Sequence, residues 1–308
     1  MSILVVGSVA FDSLETPSGK RERVLGGAAT HFSLAASFFT PTRVVGVVGE
    51  DFSAGNEKVL TDKGVDTRGI ERAEGKSFHW TGSYLNDLNT ADTLATDLNV
   101  FANFAPKIPV EYEDSEFLFL ANIDPVLQLD VRKKMPKVKM VGGDTMNYWI
   151  GAHREKLLPV LAELDVLLIN DAEARQLSGE SNVARAAEKV LELGPKTVII
   201  KFGEYGSAAF FSERSFGDGV KHKPFRVHTL LLEEVMDPTG AGDSFAGGFF
   251  GYLASQGTLT PEIFRTAMFY GSVMGSFAVE RFGTERLENT TKADIEERFQ
   301  QLRDLSHL

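Results

Sequence analysis

Six short runs of consecutive apolar residues, set between stretches of helical periodicity, limit this chain more than any other feature. They are ILVV (3–6), RVVGVV (43–48), FLFL (117–120), VKMV (138–141), DVLLI (165–169) and TVIIKF (197–202). They run on rather than alternate, as strands covered on both faces do. Helical patterns occupy 28–39, 54–63, 125–135, 153–163 and 183–193. This alternation predicts an α/β fold: a doubly wound, mainly parallel sheet with helices on both faces. Residues 9–25 and 75–109 break the alternation, and KSFHWTGSYL reads more like antiparallel strands. These two segments are expected to form a small β lid inserted in a single domain spanning 1–308. Long surface loops are the alternative.

Ligands of such sheets sit beyond the carboxyl ends of the strands. Those ends carry Gly7–Asp12; Gly49, Glu50 and Asp51; Asn122 and Asp124; Gly142, Gly143 and Asp144; Asn170 and Glu173; Gly203 and Gly206. Each group alone is ordinary turn chemistry. Gathered on one edge, they suggest a polar site lined with carboxylates and bare backbone.

The segment DPTGAGDSFAGGFFGYL (237–253) adds to this. From Ser244, apolar residues recur at Phe245, Ala246, Phe249, Phe250 and Leu253, while Gly247, Gly248, Gly251 and Ser255 form a small face. That pattern predicts a buried helix with something packed close. Pro238 keeps it from starting earlier, so it begins near Gly240 to Asp243. Asp243 could serve only its own helix start, a contribution of about 0.3–1 kcal/mol. Gly240, Ala241 and Gly242 would then weaken that start for no gain. A phosphate cradle with a carboxylate beside it explains both. Carboxylates around a phosphate in turn imply a cation, Mg²⁺ above others.

Composition narrows the partners. The 308 residues carry a net charge of −11 and no cysteine. There is no basic cluster for nucleic acid or an anionic membrane, and no run of the ~18 apolar residues that a span needs. The start, MSILVVGSVAFDS, lacks a basic leader and reads directly as a strand. A cytoplasmic enzyme is the expectation. The 23 phenylalanines are read as core.

DPTGAGDSFAGGF strongly resembles the C-terminal signature of the ribokinase-like (pfkB) family of carbohydrate and nucleoside kinases. GGAATHFSLAAS (26–37), VVGVVGED (44–51), KGVDT (63–67), NDAE (170–173) and KFGEYG (201–206) resemble its other blocks, in order. The resemblance implies an ATP-dependent kinase acting on a primary hydroxyl of a sugar, with a nucleoside of the adenosine, inosine or cytidine type as the alternative. It implies Asp243 as catalytic base and the N–H groups of Gly240, Ala241 and Gly242 as the anion hole. Asn170 and Glu173 would hold Mg²⁺ through water. Lys201, Gly203 and Gly206 would border ATP, with residues 277–283 on the adenine side. Asp12, Gly26 and Gly27 would contact the acceptor. Asp237 and Thr239 match a monovalent-cation position, K⁺ in some members. By analogy, two chains could pair through the lid.

One position departs from the pattern. His31 stands where sugar-specific members usually place an Asn, so it is either a pocket group or a structural histidine. Asp144 is either an acceptor-pocket residue or a turn. His79 and Trp80 either cover the acceptor or pack the lid. A non-catalytic nucleotide-binding regulator on the same fold is the competing class, and the retained Asp243 speaks against it. A dinucleotide-binding dehydrogenase is disfavoured, because VVGSVAFDS lacks the expected glycine spacing.

Overall fold

The computed structural model describes residues 1–305. In chain order the strands are β1 (Ile3–Val6), β2 (Ala10–Thr16), β3 (Gly19–Gly26), β4 (Thr42–Val48), β5 (Asp66–Arg72), β6 (Phe78–Ser83), β7 (Asp92–Asp97), β8 (Phe117–Leu120), β9 (Met140–Asp144), β10 (Val166–Asn170), β11 (Thr197–Lys201), β12 (Ser207–Phe211) and β13 (Phe225–Val227). The helices are α1 (Ala28–Ala36), α2 (Ala54–Thr61), α3 (Pro125–Lys134), α4 (Asn147–Ala152), α5 (Arg154–Leu161), α6 (Asp171–Ser178), α7 (Val183–Glu192), α8 (Ala241–Gln256), α9 (Pro261–Ala278), α10 (Glu285–Asn289) and α11 (Lys292–Leu305).

Nine strands form one sheet in the order β13-β12-β11-β10-β9-β8-β1-β4-β5. It is parallel from β11 to β5, and β12 and β13 are antiparallel additions. The continuous runs are explained by burial on both faces. Ile3 and Val5 enter a core with α1, α8 and α9, whereas Leu4 and Val6 enter a second core with α3, α5, α6 and α7. The rings of Phe32 and Phe119 stack 4.4 Å apart in the first core. Fully burying one such ring contributes on the order of 1.5–3 kcal/mol.

The two irregular segments do form a second sheet, ordered β3-β2-β6-β7, so the loop alternative falls away. Within it β2 and β6 are parallel, whereas the flanking pairs are antiparallel. One strand sits differently from its expected place. Residues 138 and 139 precede β9, and Gly142 and Gly143 lie inside it rather than in a following turn. The reason is packing: a Cβ on Gly142 would enter the ring of Phe250 from α8, and one on Gly143 would press on Leu164. Among the described residues, no helix is long and apolar enough to cross a membrane.

Candidate active site

The small face of α8 is what places its N-terminus. Gly247 lets the helix lie against the Phe32 carbonyl of α1, and Gly248 lets it meet Met274 of α9. The helix starts at Ala241, with Gly240 as a left-handed N-cap (φ 74°) that bonds to no side chain. The Ala241 N–H bonds the Pro238 carbonyl (3.3 Å), and no side chain caps the N–H groups that follow at this positive end. Gly240 cannot be exchanged cheaply, since a Cβ there would also collide with the His31 ring. Asp243 lies in this first turn. Burial pushes its carboxyl up to about 6, opposed by Lys201 and by a hydrogen bond with Asp144.

On one side of Asp243 lie β2 and the start of α1. Asp12 sits over Gly26, where any Cβ would strike its carboxylate, and the Gly27 N–H bonds to it. Burial first, then the charges of Asp237 and Asp243, push Asp12 up to about 8. Gly27 caps α1 with φ 96° and rests on the Ser8 carbonyl. His31 is 1% exposed, and neither ring nitrogen has a hydrogen-bond partner. Burial lowers its pKa to about 4, so the ring is a neutral, uncommitted donor and acceptor at pH 7. Asp237 is spoken for: Oδ1 accepts the Thr239 N–H (2.9 Å) and Oδ2 the Gly283 N–H (2.9 Å). Phe282 packs with Leu14 and Tyr84 of the lid, so its ring faces the lid core.

On the other side lie the ends of β9, β10 and β11. Asp144 closes β9, and its Oδ1 is buried without a partner. Burial, then Asp243 and Glu173, hold its carboxyl well above the usual range against the pull of Lys201. Burial also raises Glu173, with Lys201 and the Asn170 N–H opposing. Sequence reasoning missed what Asn170 and Glu173 do locally. They form a capping box on α6, with Asn170 N–H to Glu173 Oε2 at 2.8 Å and Glu173 N–H to Asn170 Oδ1 at 2.7 Å. The N-x-x-E spacing carried that signal. The Lys201 ammonium lies 2.6 Å from where a Gly242 Cβ would stand, directly over the helix start. Gly203 lies under Asn89 of the lid, and Gly206 (φ 88°) abuts the Val227 carbonyl.

Asp12, Leu14, Trp80 and Gly82 share one face of the lid sheet through the Asp12↔Trp80 and Leu14↔Gly82 pairing. Tyr84 follows at the same alternation and belongs to this face. His79 is on the opposite face, bonded to Ser13 Oγ at 2.8 Å, so it packs the lid. Trp80 lies across Gly82 and bonds Thr93. Sequence reasoning did not single out Tyr84, whose hydroxyl meets Thr239 Oγ1 at 3.2 Å.

A helix start without a side-chain cap, a lysine above it and a carboxylate within it are thus brought together at one edge of the sheet. The fold is shared with an E. coli protein designated a candidate ribokinase II, solved with ATP and Mg²⁺, which aligns with a TM-score of 0.76 at 22% identity, covering 97% of this chain and 99% of that one. The chain belongs to the pfkB family of carbohydrate kinases, whose profile matches residues 2–291. It is a phosphotransferase of the sugar and nucleoside kinase class. The cytidine kinase of Thermococcus kodakarensis is 28% identical over 81% of this chain and 87% of its own length. A nucleoside kinase of Methanothermobacter thermautotrophicus is 24% identical over 92% of this chain and 91% of its own length.

Proposed function

We propose that the acceptor is a nucleoside and that the reaction places the γ-phosphoryl group of ATP on its primary hydroxyl. The single observation behind this is His31, a wholly buried imidazole with both nitrogens unpartnered, pressed on Gly240 beside the helix start. A flat ring that donates once and accepts once suits a furanose bearing a base. Two relatives matched over four-fifths or more of this chain, a cytidine kinase and a nucleoside kinase, support the same choice over a free sugar.

In this reading Asp12, Gly26, Gly27 and His31 hold the acceptor. Asp243 orients the hydroxyl and takes its proton late, because a carboxylate is a weak base toward an alcohol. The N–H groups of Gly240 and Gly242 receive the phosphoryl oxygens, and that of Ala241 joins them on leaving the Pro238 carbonyl. Lys201 neutralises phosphate charge, and Gly203 and Gly206 border the nucleotide. Positioning and neutralisation carry most of the barrier reduction in such transfers.

The residues fit a divalent cation. Asp144, Glu173 and Asp243 concentrate negative charge around one lysine, and Asp144 Oδ1 lacks a partner. Among the described residues, no three His, Asp or Glu converge to hold a metal unaided. That suits Mg²⁺, which keeps its waters and leans on substrate phosphates. Asn170 and Glu173 would hold it through water, and Asp144 lies close enough in charge to share the task. When bound, Mg²⁺ supplies charge neutralisation on the transferring phosphates. K⁺ beside Asp237 and Thr239 is a subsidiary expectation, to be checked by replacing K⁺ with Na⁺. The reading also takes the chain as one cytoplasmic catalytic unit with an inserted lid. The edge strand β7, exposed along its length, is where two lids would pair, and light scattering of the purified protein checks this.

A panel of nucleosides and free sugars assayed for ADP release tests the acceptor. Turnover with at least one nucleoside, at a kcat/KM exceeding that of every free sugar, is expected. A preference for ribose or a hexose overturns the nucleoside assignment.

A further inference from the structure

The lid reaches into the segment that leads to α8. Thr16 Oγ1 donates to the Met236 carbonyl (2.8 Å) and Ser18 Oγ to the Val235 carbonyl (3.1 Å). Thr239 Oγ1 donates to the Tyr84 hydroxyl (3.2 Å), one residue before the Gly240 N-cap. From the far side, Asp237 is fixed by Gly283 N–H, and Met236 N–H bonds the Val279 carbonyl. Residues 235–239 are thus gripped between the lid and the turn after α9.

Tyr84 itself is firmly held. Its N–H bonds the Glu15 carbonyl at 2.8 Å, and its ring packs with Leu14 and Phe282 in a small core completed by Met236. Burial first, and then the charges of Asp237, Asp12 and Asp243, keep its hydroxyl protonated. Having accepted from Thr239, it keeps its own proton for a neighbour. Five residues on, the same loop lays Asn89 across Gly203 on the nucleotide side. One short loop therefore touches both halves of the site.

We propose that Tyr84 is a positioning residue of the transfer: carried in by the lid, its hydroxyl fixes Thr239 and so sets the turn whose N–H groups receive the phosphoryl oxygens. This rests on the reading of Gly240–Gly242 as the anion hole. Lid closure and the assembly of that hole become one event, linked through Asn89 to the nucleotide loop. A loose turn would still bind both substrates but would meet the transition state poorly, so the cost should fall on kcat.

The test is a cycle of Tyr84→Phe, Thr239→Val and the double variant, assayed for kcat, both KM values and Tm, with Asp243→Asn as reference. Tyr84→Phe keeps the ring and its packing. Each single variant should lower kcat roughly three- to tenfold, with ATP KM and Tm close to wild type. The double variant should be no slower than the worse single one, because both remove the same contact. Thr239→Ser, which keeps a hydroxyl, should recover most of the rate. A kcat within twofold of wild type for Tyr84→Phe overturns the inference. So does a double variant showing the full product of the two losses, or a loss that follows Tm. If Asp243→Asn stays active, the catalytic reading of the α8 start, on which this inference rests, fails. If Asp243→Asn is dead while Tyr84→Phe is normal, only the role of Tyr84 falls.

Discussion

The site's carboxylates are set against their own ionisation, and this has a kinetic signature. Asp243 must be deprotonated to accept a proton, and its pKa is raised to about 6. For the free enzyme, kcat/KM should therefore fall as pH drops through about 6, approaching tenfold per pH unit below it. A profile flat between pH 5 and 7 would remove Asp243 from that role. His31 is the residue on which the acceptor choice turns. Losing one neutral hydrogen bond, about 0.5–1.5 kcal/mol, predicts that His31→Ala raises acceptor KM roughly two- to twelvefold and leaves ATP KM alone. A collapse of both activity and Tm would instead mark a structural histidine, as its packing against Gly240 allows. Sequence alone separated neither option, because the missing partners of a buried ring become visible only once its neighbours are placed.

Among the elements, strands buried on both faces were the most legible. The bounds of β1 and β8 coincide with their apolar runs, since nothing but core surrounds them. β9 begins two residues and ends three residues beyond its expected run, because its glycines look like a turn while their purpose is to admit Phe250 and Leu164. The start of α8, free of a side-chain cap, was legible from Pro238 and Gly-Ala-Gly, and its small face correctly announced close helix neighbours. The capping box on α6 was not read, although it bears on a prediction. Glu173→Gln keeps an acceptor for the Asn170 N–H but removes a charge, so α6 should survive. If Glu173 also steadies Mg²⁺ through water, the Mg²⁺ concentration for half-maximal rate should rise while acceptor KM changes little. An unchanged Mg²⁺ dependence would leave Glu173 with its capping role alone. Tyr84 was out of reach for a different reason: its meaning depends on a contact between residues 84 and 239, which no local pattern encodes.

Across the whole molecule, the fold gathers acidic residues from β2 of the lid, β9, α6 and α8 around the start of α8, and the ligand-free protein bears their mutual repulsion. Groups with raised folded pKa values stabilise at low pH and lose that contribution as pH climbs through the folded value. For Asp243 the loss runs from its ordinary value of 3.8 up to about 6, and for Asp12 from 3.8 up to about 8. His31 acts oppositely, stabilising above 6.5 and losing that contribution as pH falls toward about 4. Tm of the ligand-free protein should therefore decline from pH 6.5 to about 8 and level off above it. Asp12→Asn should flatten that decline while raising acceptor KM. A wild-type Tm that rises over this range would contradict the burial described for Asp12. Adding Mg²⁺-ATP and acceptor should offset the decline by binding only the folded state.

In the proposed reaction Asp243, at the start of α8, performs proton transfer in a kinase whose other parts bind and neutralise. Asp243→Asn separates the two functions. Rapid-quench measurement of phosphoryl transfer, beside calorimetric ATP binding, should show transfer slowed by roughly 10²–10⁴-fold with ATP affinity kept or improved, because a negative charge near the phosphates is gone. A variant that transfers at most of the wild-type rate would contradict the account.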